Sequence, residues 1–132
     1  MEQLRVTKGI EIGVNDNGDT IFLDVENTLF INRYYHLLER VDEIIGSIDT
    51  KKEIKDAEFG DYVTDIMKQF VAELDECFGV DSCKKIFGEG VVPSPSALID
   101  LFDQLTPIVD KYIKKREAKV VQKYQPRTGG KK

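Results

Sequence analysis

The sequence predicts an α+β fold, mainly α. An N-terminal β-hairpin packs on a bundle of three main helices plus one short helix, and the chain ends in a basic C-terminal helix and tail. Three observations carry this. Residues 9–25 hold two short β-type runs around an Asx-Gly turn. From residue 30 onward apolar residues recur every three or four positions, the period of a helix with one buried face. Charge divides near residue 110, with ten Lys/Arg against 23 Asp/Glu before it and nine against one, Glu117, from Lys111 to Lys132. A chain of 132 residues fits one domain. Its expected extent is 1–124, with 125–132 as a disordered basic tail.

The hairpin is read from Gly9 to Val14 and Thr20 to Val25, joined by Asn15-Asp16-Asn17-Gly18-Asp19. Asn-Gly supplies the positive φ of a tight reversal. Ile10, Ile12 and Val14 alternate onto one face, as in a half-buried strand. Two strands alone are marginal in water, so the hairpin must pack on helices or pair with another chain.

The first helix follows an Asn27 or Thr28 cap. Its seam is Ile31, Tyr34, Leu38, Val41, Ile45 and Ile48, widened by Phe30, Leu37 and Ile44 into a stripe broad enough for a bundle core. Gly46 costs about 1 kcal/mol relative to Ala inside a helix, so it marks close packing or early fraying. Asp49 to Gly60 is mostly charged and reads as a connection or a loose helical extension. The second helix is expected from about Tyr62 to Phe78, capped by Asp61 and ended by Gly79. It buries Val63, Ile66, Met67, Phe70, Leu74 and Cys77.

Asp81 starts a short helix, Ser82 to Phe87, ended by Gly88. After a loop, Ser94 caps the last helix with Pro95 at its first position. That helix carries Leu98, Leu101, Phe102, Leu105, Ile108, Val109, Tyr112 and Ile113. Pro107 predicts a kink near Asp103 to Thr106. Beyond Ile113 the apolar stripe thins and basic residues take over.

Most chemistry-bearing residue types have structural explanations. In the Asx-rich loop, a calcium site with Gly18 sixth would start at Gly13 and end at Asp24, lacking the first side-chain ligand and the final Glu. His36 is the single histidine. Together with Cys77 and Cys83 it has no zinc-site spacing, and no partner is identifiable for general-base work. The two cysteines read as reduced structural thiols. Asp24 and Glu26 flank a helix start, where negative charge is favourable without catalysis. Gly88-Glu89-Gly90 lacks the Lys-Ser/Thr end and preceding strand of a phosphate loop. No catalytic residue, metal ligand or cofactor is therefore assigned, and a non-enzymatic protein is expected.

The basic arm remains. Lys111, Lys114, Lys115, Arg116, Lys119 and Lys123 cover much of a helix surface and are the candidate partner-binding residues. Solvated cations at a helix C-terminus explain them without any partner. An acidic protein is the favoured partner. Nucleic acid would use the same charges, but the acidic body repels phosphate. No apolar run approaches the roughly 20 residues of a membrane helix, and Met1 to Leu4 opens no secretory signal, so a cytoplasmic protein is expected.

The run Asp81-Ser82-Cys83-Lys84-Lys85-Ile86-Phe87-Gly88-Glu89-Gly90 follows a helix ending in Glu76-Cys77-Phe78-Gly79 and precedes a Ser/Pro-capped helix with a Lys-rich end. Over roughly Ile21 to Tyr124 this resembles small tail assembly chaperone-like proteins of tailed phages and prophages of Gram-positive bacteria. The resemblance implies a non-enzymatic chaperone in the host bacterial cytoplasm. It would bind the tape-measure protein, or another phage tail protein, during tail morphogenesis. Self-association is compatible with it. The competing readings are a tail or connector subunit that stays in the virion, and a small adaptor or regulator whose arm binds nucleic acid. Proteins of that kind are commonly made in two forms by ribosomal slippage, and Gly129-Gly130-Lys131-Lys132 can encode a slippery heptamer, the alternative being an ordinary flexible C-terminus.

Overall fold

Apolar alternation and an Asn-Gly reversal produce the first element pair. In a computed structural model, which describes residues 1–6, 8–49 and 57–129 with 48–49 and 124–129 as backbone only, β1 (Ile10–Gly13) pairs antiparallel with β2 (Thr20–Leu23). Ile10 faces Leu23 and Ile12 faces Ile21, so all four occupy one side of the ribbon. Ile21 and Leu23 are buried, and Ile10, Ile12 and Val14 pack against the same core. The turn uses Asn15 as its organiser. Asn15 Oδ1 accepts from the backbone N–H groups of Asn17 (2.8 Å) and Asp19 (3.3 Å), and Asn15 Nδ2 donates to Asp19 Oδ2 (2.9 Å). Gly18 takes φ 88°, where a side chain would be strained.

Among the described residues four helices follow: α1 (Thr28–Asp49), α2 (Ala57–Phe78), α3 (Ser82–Phe87) and α4 (Pro95–Gly129). Asn27 caps α1, its Oδ1 accepting from Leu29 N–H at 2.9 Å. Ser94 caps α4, its Oγ accepting from Ala97 N–H at 3.1 Å with Pro95 at the first position. α1 packs against α2 and α4, α3 against α2, and β2 against α2. Rings of Phe30, Tyr34, Phe70, Phe78 and Phe102 form the centre of the core, with centroids 5.7 to 6.4 Å apart.

Three expectations need correction. α2 begins at Ala57, not near Tyr62, so Asp61 lies inside it rather than capping it. Phe59 packs on the core four residues before Val63, which carries the helical stripe back one turn further than the charged composition suggested. Residues 50–56 of the expected connection lie outside the described residues.

On α1 the fully buried line is Phe30, Tyr34, Leu37, Val41 and Ile44, while Ile31, Leu38 and Ile45 are half-buried. The most buried line thus lies about one residue to the side of the predicted seam, along the edge of the stripe that Phe30, Leu37 and Ile44 mark. The side chain of Ile48 is outside what is described.

α4 runs as one helix through Pro107. The proline sits on an exposed face, where the Asp103 carbonyl that it leaves without a helical donor can meet water. Finally, α4 continues to Gly129, five residues into the segment expected as tail. Residues 130–132, which include most of the candidate slippage codons, lie outside the described residues.

Candidate protein-interaction surface

α4 is one helix with two environments. Leu98, Phe102, Leu105 and Val109 are buried, and Tyr112 and Ile113 lie at the edge of the core. From Glu117 to Lys123 every residue is exposed. Two turns exposed on all sides mean that the helix has left the body and projects from it. Val120 and Val121, at 55% and 50% exposure, continue the line of Ile113 at helical spacing but touch no core.

Of the six predicted partner-binding residues, the structure separates three from the others. Arg116 is turned inward, and its Nη1 donates to the Val25 carbonyl at 2.6 Å. This contact lies where the arm leaves the body, and a guanidinium satisfies a carbonyl at the end of the hairpin. Lys111 and Lys115 hold their Nζ atoms 5.6 and 5.5 Å from the Tyr112 ring centroid, within cation–π range. Lys114, Lys119 and Lys123 are exposed and remain available to a partner. Glu26 joins Arg116, Lys119, Val120 and Lys123 around an open hollow at the root of the arm.

α1 and α4 run antiparallel, as their cross-links show. Val25, just before α1, meets Arg116; Tyr35 OH donates to Asp110 Oδ1 at 3.1 Å; and Tyr34 OH shares a 2.7 Å hydrogen bond with Thr106 Oγ1. Further along α1, residues of the two helices line an open groove. Its floor is Leu38, Val41, Ile45, Ile99 and Phe102, its rim includes Asp42 and Asp103, and Gly46 opens one side. No Lys or Arg lines it. A Cβ on Gly46 would meet nothing within 4 Å. This groove was not anticipated. The one available signal was the width of the α1 stripe, since Leu38 and Ile45 are the edge of that stripe left over after the core is filled.

The other chemistry-bearing side chains are engaged in holding the fold. Asp24 Oδ2 accepts from Asn27 Nδ2 at 2.8 Å. Asp75 Oδ1 accepts from Cys83 N–H at 2.9 Å and so caps α3 from the neighbouring helix. Asp81 takes φ 65° and makes no side-chain cap. Asn15 Nδ2 also reaches the Lys85 carbonyl at 3.0 Å, and Lys85 Nζ returns to the Thr20 carbonyl at 3.3 Å, so the hairpin loop is fastened to α3.

Cys77 and Cys83 are free thiols. Burial pushes Cys77 up to about 12 and moves Cys83 upward too, with the Asp75 carboxylate adding to the latter. Neither is a thiolate at neutral pH. His36 lies on the surface, its Nδ1 3.6 Å from Glu39 Oε1. Among the described residues no three His, Cys, Asp or Glu side chains gather in a metal-holding arrangement, and no buried side-chain nitrogen or oxygen lacks a hydrogen-bond partner. No helix among them is long and apolar enough to cross a membrane.

A family model matches residues 17–132, and the chain belongs to that family, a family of unknown function (DUF6673). The match begins in the hairpin loop and takes in all four helices. No curated protein and no solved structure matches the chain.

Proposed function

We propose that this protein is a non-enzymatic tail assembly chaperone of a phage or prophage, which binds the tape-measure protein in the bacterial cytoplasm during tail morphogenesis. The observation that carries the reading is the projecting half of α4. A helix exposed on every side, with paired valines among lysines, is a recognition element rather than part of a core. Helix-on-helix recognition uses apolar anchors at helical spacing, with flanking charge setting the encounter rate and the choice of partner. The sequence resemblance over Ile21 to Tyr124 supplies the identity of the partner. The acidic body supports solubility beside an aggregation-prone helical client. The thiols held protonated by burial and the surface position of His36 favour binding over catalysis.

Co-expression with the tape-measure protein of the same genome tests this. A soluble complex that co-purifies is expected, with loss of co-purification when 118–132 are deleted. A tape-measure protein that stays insoluble and unbound overturns the proposal. Recovery of the protein in purified virions would replace it with the structural-subunit reading. Salt-sensitive binding to random-sequence DNA would replace it with the nucleic-acid adaptor.

A further inference from the structure

The projecting arm and the α1/α4 groove are complementary, and they occupy different stretches of α4. The groove spans Leu38 to Gly46 on α1 and Ile99 to Pro107 on α4, or about 12 Å of each helix at 1.5 Å per residue. The fully exposed part of the arm, 117–123, is about 10 Å long by the same rise. The groove offers an apolar floor with the carboxylates of Asp42 and Asp103 at its rim. The arm offers Val120 and Val121 with Lys114, Lys119 and Lys123, against the single acid Glu117. Length, polarity and sign of charge all agree.

The chain cannot make this contact with itself. Thr106 and Val120 belong to one uninterrupted helix and are held about 21 Å apart along its axis. We infer that the groove receives the α4 arm of a second copy of this chain. This goes beyond the tape-measure reading; it uses the same arm, in the absence of a client, and is therefore tested on the chain alone. Made reciprocally, the two arm-in-groove contacts form one isologous pair; made head-to-tail, the contact is heterologous and gives a ring or an open chain of copies. Desolvating the valines supplies the attraction. The lysine–aspartate pairs at the rim make it sensitive to ionic strength.

The test uses the full chain alone, in sedimentation velocity over a concentration series. The expected result is a mass of at least twice the 15.0 kDa chain, falling toward the monomer as salt is raised. Two variants separate the surfaces without entering the core. K119E/K123E reverses the arm. Gly46→Arg places a cation in the groove from a position where the Cβ has open space. Circular dichroism and a thermal melt confirm that each is folded. Each alone should be monomeric, and mixed together they should pair one to one, since one keeps the groove and the other keeps the arm. A wild-type chain that is monomeric throughout, an oligomer that both variants leave intact, or a mixture that fails to pair overturns the inference.

Discussion

Val109 and Val120 stand on the same helix, eleven residues apart, and share nothing else. Val109 is 0% exposed and Val120 is 55% exposed. The half of α4 around Val109 is helical because α1 and the hairpin complete its packing. The half around Val120 is helical because it continues a helix already nucleated. Starting a helix is the unfavourable step and extending one is not. Lys, Arg, Glu and Ala also favour extension. One backbone therefore has two environments, a structural strut inside the body and an exposed basic arm outside it, with Arg116 at the boundary.

The largest test of that division is Phe102→Ala. Phe102 contacts the Tyr34 and Phe70 rings and is 5% exposed, so its removal should cost about 3–5 kcal/mol in urea unfolding. A loss below about 1 kcal/mol would mean that the inner half of α4 is not core.

A pH series gives the next effect. Burial raises Tyr34 from 10.0 to about 12 and Cys77 from 9.0 to about 12, and also raises Cys83. The folded state therefore holds protons that the unfolded chain releases. That stability is fully present below about pH 9 and falls as pH rises toward 12. Chemical denaturation midpoints should decline across this window. A flat profile would show that these groups are solvated.

Smaller again is Tyr34→Phe, which strands Thr106 Oγ1 by removing the hydroxyl that ties α1 to α4. It should cost about 1 kcal/mol. The smallest effect belongs to the arm: Val120→Ala should change stability by less than about 0.5 kcal/mol, and deletion of 118–132 should leave the melting temperature almost unmoved. A drop comparable to that of Phe102→Ala would show that the arm is packed after all.

Much of the architecture is legible in the residues. The Asn-Gly turn, the caps at Asn27 and Ser94, and the three-four spacing on all three long helices are local signals. Local backbone chemistry decides where elements reverse and start. Gly9 shows where such signals end. It reads as the beginning of a strand, yet a Cβ there would overlap the Leu23 carbonyl oxygen, a restriction set by a neighbour fourteen residues on. Asp75 as the cap of α3 and Arg116 as a ligand of the Val25 carbonyl are similarly non-local.

What the sequence determined by itself is the class of fold, the helices, the acidic body and the basic arm, because period, turn chemistry and charge are properties of short segments. Only the tertiary structure decided which edge of the α1 stripe the core would use. Phe30, Leu37 and Ile44 are as apolar as Ile31, Leu38 and Ile45, and no periodicity ranks one line above the other. The packing of α2, the hairpin and α4 buried the first line and left Leu38 and Ile45 of the second at the floor of a groove, since a helix has more apolar surface here than its neighbours can cover.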